Sequence, residues 1–175
     1  MQKVTIIFTS LLLILLNASF IVPAKEKINW LTLAELEAAY QKEPRPVLID
    51  MYTDWCGWCK VMDKDTYGKE NVATYINEHY YPVKFNAETR DSVSFAGKTY
   101  QYNKNYKAND LAIYLSFGQL SFPTTIFLSS VEAQPAPIPG FMKPSDIEAP
   151  LKYFGDGIYK TKSFADYMKS FSRTW

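Results

Sequence analysis

Trp55-Cys56-Gly57-Trp58-Cys59-Lys60 is the stretch that decides how this chain reads, because it holds both of its cysteines. The run before it, Pro46-Val47-Leu48-Ile49-Asp50-Met51-Tyr52, is short and mostly apolar behind a Pro-rich entry, which predicts a buried strand. From Lys60 to Thr66 there is neither Gly nor Pro, so a helix can start at the first cysteine and run to about Gly68. A helix start carries unpaired N–H groups and a partial positive charge, and both favour an anion. A Cys56 thiolate would be that anion, with its pKa drawn from about 8.5 toward the roughly 3.5–7.5 range of activated thiols. Cys59, one turn inside, is expected to be more buried and to stay protonated. Cys56 then attacks a disulfide and Cys59 resolves it.

Two other uses of the pair have to be weighed. An inert disulfide is one, although a loop this small removes little chain entropy, so it would be a weak staple. A structural zinc needs about four ligands, and this chain has two Cys and one His, His79, so no metal site is expected. His79 reads as a helix-end surface residue.

The chain has 175 residues, a net charge of +1, and 47% hydrophobic and 16% aromatic content. That composition fits one packed globule and gives no reason to expect nucleic acid or an acidic partner. Met1-Gln2-Lys3, the apolar run Val4 to Leu16 and the small residues of Val22-Pro23-Ala24 predict a secretory signal peptide, 1–24, cleaved after Ala24. An uncleaved membrane anchor is the alternative, but the apolar run is short for a span. Residues 25–175 would form one domain outside the cytoplasm, where disulfides persist. After cleavage no stable membrane insertion is expected, and the composition fits a monomer.

Helical spacing runs from Trp30 to Gln41, with Thr32 and Glu35 as a capping box and Pro44 and Pro46 ending it. Asn71 is a candidate cap for a helix Val72 to His79, followed by a strand Tyr80 to Asn86. Val93-Ser94-Phe95 and Thr99 to Tyr102, joined by Ala96-Gly97-Lys98, predict a hairpin. Asn109 to Gly118 reads as a helix with Leu111, Ile113, Tyr114, Leu115 and Phe117 mostly buried. Ser121 to Ser129 is a strand, Glu132 to Pro137 a loop, and Ile138 to Phe141 an edge strand that tolerates its proline. Pro144 starts a helix through Phe154, and Ser163 with Asp166 caps a last one through Phe171.

These residues together resemble the thioredoxin superfamily, and within it the secreted bacterial thioredoxin-like proteins. The match is carried by Trp55-Cys56-Gly57-x-Cys59-Lys60, by Asp50 six residues before Cys56, by Lys84 in Lys84-Phe85-Asn86, by Phe122-Pro123-Thr124 and by Gly140. The resemblance covers roughly residues 30–154. It implies an α/β thioredoxin fold, a central mixed sheet flanked by helices. A hairpin-helix segment would be inserted before the cis-Pro strand, and an extra helix would follow at the C-terminus. It also implies that Asp50 is a buried acid facing Lys84, that the Phe122–Pro123 bond is cis, and that an incoming peptide pairs beside Phe122. A solvent-facing Asp50 is the competing reading. Three features depart from the pattern: Trp58 stands where a proline is usual, residues 89–118 are longer than a plain connection, and the tail after Phe154 is extra.

By this resemblance the protein is a periplasmic or secreted thiol-disulfide oxidoreductase. Cys56, Cys59, Asp50 and Lys84 would be its catalytic groups, and Trp55, Gly57, Trp58, Phe122, Pro123 and Thr124 its substrate contacts. It would need no cofactor beyond its own Cys56–Cys59 disulfide. Its partners would be proteins carrying disulfides or thiols and a separate redox donor. Reduction is the expected direction, with oxidation or isomerisation as the alternative. A binding module with an idle disulfide is a reading from another class. The 89–118 segment either helps choose the partner or simply completes the core.

Overall fold

The structure is a computed structural model that describes residues 27–175; the expected signal peptide, 1–24, lies outside them. Leu33–Tyr40 forms α1, and Thr32 and Glu35 make the capping box, the Thr32 side chain accepting from the Glu35 N–H and the Glu35 carboxylate from the Thr32 N–H. The apolar run becomes β1, Val47–Tyr52. Gly57–Met62 is α2, which widens into a π turn over Asp63–Tyr67 and stops at Gly68. A Cβ at position 68 would lie 2.5 Å from the Lys64 carbonyl oxygen, so the close of that turn has room only for glycine. The Glu70–His79 helix, α3, begins before the expected cap Asn71; Lys69 is its N-cap and makes no side-chain cap. β2 is Tyr81–Asn86.

Four strands make the main sheet, in the order β2-β1-β7-β8, where β7 is Thr124–Leu128 and β8 is Ala136–Pro139. β1 runs parallel to β2 and antiparallel to β7, and β7 is antiparallel to β8, so the sheet is mixed. Leu31 adds a parallel bridge to Val83 on the outer edge of β2. The edge strand starts two residues earlier than the sequence suggests. Ala136 to Pro139 pairs with β7 through alternate residues that do not need a proline N–H, and Phe141 is left outside it.

Side chains on β1 alternate, and this splits the core. Val47, Ile49 and Met51 enter one cluster with Leu36 of α1. Leu48 enters the other, with Met62, Tyr67, Val72, Ile76 and Phe127. Asp50 and Tyr52 therefore share a strand face with Leu48 and the cysteine helix.

The 89–118 segment packs on the first of these faces. Its hairpin, β3 (Val93–Phe95) and β4 (Lys98–Tyr100), turns through Ala96 and Gly97 alone, both at positive φ. A second ribbon that the sequence pattern did not reveal follows, Tyr102–Asn103 (β5) with Ala108–Asn109 (β6). Asn109 caps α4, Asp110–Leu115, through its side chain to the Leu111 N–H. α4 is shorter than expected because Phe117 and Gly118 both take positive φ. Phe95, Ala108, Leu111, Ala112 and Leu115 are buried in the α1-side core, whereas Tyr114 and Phe117 are exposed and Ile113 only half-buried. The segment thus completes this core with every third or fourth residue of a short helix, not with its whole apolar run.

α5, Pro144–Gly155, covers the other face and takes Pro144 at its first turn. A 3-10 turn, Ile158–Lys160, and α6, Phe164–Ser170, form the C-terminal addition, with Tyr167 packed on Tyr153. The tail returns to α5: Glu148 is buried and accepts from Lys152 Nζ, Thr174 Oγ1 and the Thr174 and Trp175 N–H groups. Burial alone would raise this carboxyl, but those hydrogen bonds hold it down to about 2. Among the described residues no helix is long and apolar enough to cross a membrane.

Candidate functional site

β1 ends at the turn that delivers the cysteines. Cys56 has extended backbone and is the N-cap of α2; its N–H donates to the Thr53 carbonyl at 3.1 Å. Cys56 Sγ in turn accepts the Cys59 N–H at 3.0 Å, satisfying a donor that the helix start leaves open. The two sulfurs are joined in a disulfide. Cys56 and Cys59 are 3% and 4% exposed, so the expected difference in burial is not found in the oxidised state.

The register places Asp50 between Lys84 on β2 and Thr125 on β7. Asp50 is 2% exposed, which overturns the solvent-facing reading. Its Oδ2 lies 3.3 Å from Lys84 Nζ, and its Oδ1 finds no hydrogen-bond partner among the described residues. Burial pushes the Asp50 carboxyl up to about 6; the Lys84 ammonium opposes the rise and Asp63 adds to it. Lys84 also pairs with Asp63, the first residue of the π turn, and its ammonium lies over the Trp30 and Tyr52 rings at 5.3 and 5.4 Å. Tyr67, at the end of the same turn, hydrogen-bonds Thr125 at 2.9 Å and is itself pushed up by burial. A buried carboxyl with one unsatisfied oxygen and one cation partner, titrating near neutrality, can hold or release a proton at physiological pH.

Around the disulfide the surface is aromatic. The Phe122–Pro123 peptide bond is cis, and the Pro123 carbonyl accepts from the Gly140 N–H at 2.7 Å. The two loops so joined each bring a phenyl ring to a tryptophan. Phe122 meets Trp55 edge-on, with ring centroids 5.9 Å apart, and Phe141 meets Trp58 at 5.6 Å. Trp55 donates its indole N–H to Glu88 at 3.0 Å. Gly57, between the tryptophans, faces open space. Thr124 is buried and donates its hydroxyl to the Ser121 carbonyl, so it shapes the loop from inside and its side chain offers no outer contact.

Sequence reading missed three members of this constellation. Phe141 reads in the sequence as the end of an edge strand, which stops at Pro139. Glu88 sits in a turn with no pattern to mark it. Asp63 was one of several charges on a mixed helix, and its only available signal was the Cys59 i+4 spacing that puts it one turn above the sulfur.

Comparison with known proteins bears on the fold and the family. Residues 15–146, well over half of the chain, match the Thioredox_DsbH family model, described as "Protein of unknown function, DUF255". A 45-residue stretch is 38% identical to the thiol:disulfide interchange protein DsbD of Pectobacterium atrosepticum, covering 26% of this chain and 8% of that protein. Over 109 residues the chain is 27% identical to the uncharacterized protein B0495.5 of Caenorhabditis elegans, covering 61% of this chain and 13% of that one. The chain thus spans only a small part of the curated relatives it matches. Among solved structures it is similar to a putative disulphide-isomerase from Bacteroides thetaiotaomicron (TM-score 0.54, 19% identity, 80% of this chain and 99% of that one). It is similar as well to a DsbH oxidoreductase (TM-score 0.53, 14% identity, 80% and 93%) and to a thioredoxin-fold protein from Helicobacter pylori (0.52, 20%, 71% and 78%). With its central mixed sheet, its helices on both faces and its CxxC pair at a helix start, the chain has a thioredoxin fold and belongs to the Thioredox_DsbH family.

Proposed function

We propose that this protein is a disulfide reductase of an extracytoplasmic compartment, acting through a Cys56/Cys59 dithiol. The observation that carries the reading is the Cys59 N–H aimed at Cys56 Sγ at the start of α2. In the reduced protein that N–H and the helix start favour a Cys56 thiolate. The thiolate attacks one sulfur of a substrate disulfide; a Cys56–substrate bond forms and the other substrate sulfur leaves as a thiolate. Cys59 then gives up its proton, with Asp50 as the acceptor, directly or through a water, and attacks Cys56 Sγ. The Cys56–Cys59 bond forms, the second substrate thiolate leaves, and the protein ends oxidised as in this structure. A dithiol donor restores the reduced state, with no other cofactor.

Lys84 tunes Asp50, while Trp55, Gly57, Trp58 and Phe122 line the approach and Pro123 with Thr124 holds the loop shape. The extracytoplasmic location rests on the leader read in residues 1–24. Insulin reduction driven by dithiothreitol tests the activity: wild type should precipitate insulin B chain faster than dithiothreitol alone, and Cys56→Ser should not. Equal rates for the two proteins would overturn the reading. A redox potential equilibrated against glutathione tests the direction, since a reductase should sit well below an oxidase, toward about −270 mV and away from about −120 mV.

A further inference from the structure

On the face of β1 that carries Ile49 and Met51, away from the cysteine helix, the inserted hairpin does not close fully against α1. A cavity of about 160 Å³ lies between them and opens to solvent. From α1 and its cap, Leu33, Leu36, Glu37, Tyr40 and Gln41 line it, at the spacing that puts residues on a single helix face. The hairpin contributes Phe95 and its turn at Ala96 and Gly97, and the chain just beyond β7 contributes Val131 and Glu132. Leu36 and Phe95 are buried and form the floor, Leu33, Tyr40 and Val131 are half-buried, and Glu37 and Glu132 are exposed at the rim. No Lys or Arg lines the cavity. Among the described residues neither rim carboxylate takes part in a side-chain hydrogen bond or an ion pair. A helix face that only packs on a hairpin needs apolar residues, so a carboxylate within it, sharing the rim of an apolar hollow with a second one, is not explained by packing.

We propose that this cavity binds a small organic cation: an ammonium group carried on an apolar body the size of one six-membered ring. The volume sets the body. An engineered cavity of about 150 Å³ lined by Leu, Ile and Phe takes up benzene, and the floor and walls here are of the same kind. The rim sets the head. A ligand that seats its apolar end on Leu36 and Phe95 leaves its polar end at the opening, beside Glu37 and Glu132. An ammonium there gains two carboxylates, a hydroxyl gains less, and an anion is repelled. The pattern is that of a small-molecule site, an apolar concavity with a few polar groups at its mouth. It lies across the sheet from the disulfide and needs neither cysteine, so it stands apart from the thiol-disulfide chemistry.

Three ligands of similar shape separate the contributions of ring and charge: phenethylammonium, phenethyl alcohol and hydrocinnamate. Each is titrated into the oxidised protein at neutral pH and followed by the amide NMR shifts of Phe95, Ala96 and Val131. None carries a thiol or disulfide, so failure of the reductase reading in the insulin assay leaves this measurement unaffected. The shifts should saturate, with the ammonium bound about fivefold more tightly than the alcohol and hydrocinnamate weakest of the three. High salt should shrink that order toward equality, because the rim carboxylates are exposed. Glu37→Gln combined with Glu132→Gln should bring the ammonium to the affinity of the alcohol and leave the alcohol unchanged. Val131→Phe should fill the hollow and weaken all three. Shifts that do not saturate, an ammonium bound no more tightly than the alcohol, or a preference that survives the double substitution would overturn the proposal. If Val131→Phe lowers the melting temperature, the two glutamine substitutions, which alter only exposed side chains, decide the matter.

Discussion

Asp50→Asn should stabilise the oxidised protein at neutral pH, and the size of the effect follows from where the carboxyl sits. The folded protein raises the Asp50 pKa from 3.8 to about 6. A difference of about two units at 1.36 kcal/mol each is about 3 kcal/mol. The sign is set by which state holds the proton. Between about pH 4 and 6 the folded protein keeps it and the unfolded chain has lost it, so stability falls as pH rises through that window. Above about pH 6 both states are ionised and the full penalty of a buried carboxylate remains. Asparagine has the same shape and no charge, and Lys84 keeps Asp63 as a partner. Urea unfolding across a pH series should therefore show the variant more stable by up to about 3 kcal/mol near pH 7, with the gap closing by about pH 4. The cost in function should appear in the same variant, since Cys59 loses its proton acceptor: stopped-flow should show the resolving step slowed and the first attack little changed. A variant no more stable than wild type at neutral pH, or a gap of constant size across the series, would refute the buried-carboxylate account.

Cys59→Ser should accumulate mixed disulfides with substrate proteins on non-reducing gels, while Cys56→Ser traps few, and iodoacetamide at mildly acidic pH should label Cys56 first. Removing the ammonium in Lys84→Met takes away the charge that opposes the rise of the Asp50 carboxyl. The pH midpoint of the resolving step should move up by about one unit or more, and an unmoved midpoint would mean that Lys84 serves Asp63 alone. Glu148→Gln should cost about 2 kcal/mol near pH 7, because a buried carboxylate loses its charged hydrogen bonds to Lys152 and the tail. Its pKa is depressed, so the wild-type advantage is complete above the ordinary value of 4.5 and is lost as pH falls toward about 2; the two unfolding midpoints should converge over that range.

Local chemistry made much of this legible in advance. Thr32 and Glu35 make the capping box their spacing suggests, and the apolar run into Asp50 is the central strand. Cys56, Asp50, Lys84 and Pro123 fall where the thioredoxin resemblance places them. What stayed hidden depends on tertiary partners. The β5–β6 ribbon has two residues on each side, too few for any alternation to show. The end of α4 is set by left-handed backbone at Phe117, a residue type that gives no warning of it. The π turn leaves no periodic trace, and Asp63 becomes visible only once β2 has brought Lys84 beside it.

The insertion and the cysteine helix lie on opposite faces of one strand, and this gives the packing of the insertion a bearing on where Asp50 sits. Ile49 and Met51 are gripped by the core that Phe95, Leu111 and Leu115 complete, and their neighbour Asp50 points the other way. Strand register has a period of two, so a one-residue slip of β1 would send Asp50 into that apolar core and Ile49 toward the cysteine helix. Such a slip would bury a carboxylate with no cation and strip Lys84 of its β1 partner, a double penalty on top of the lost packing. The filling from 89–118 adds to the packing that holds Ile49 and Met51 on their own face of β1, and so helps to fix which residues of the strand face the cysteine helix.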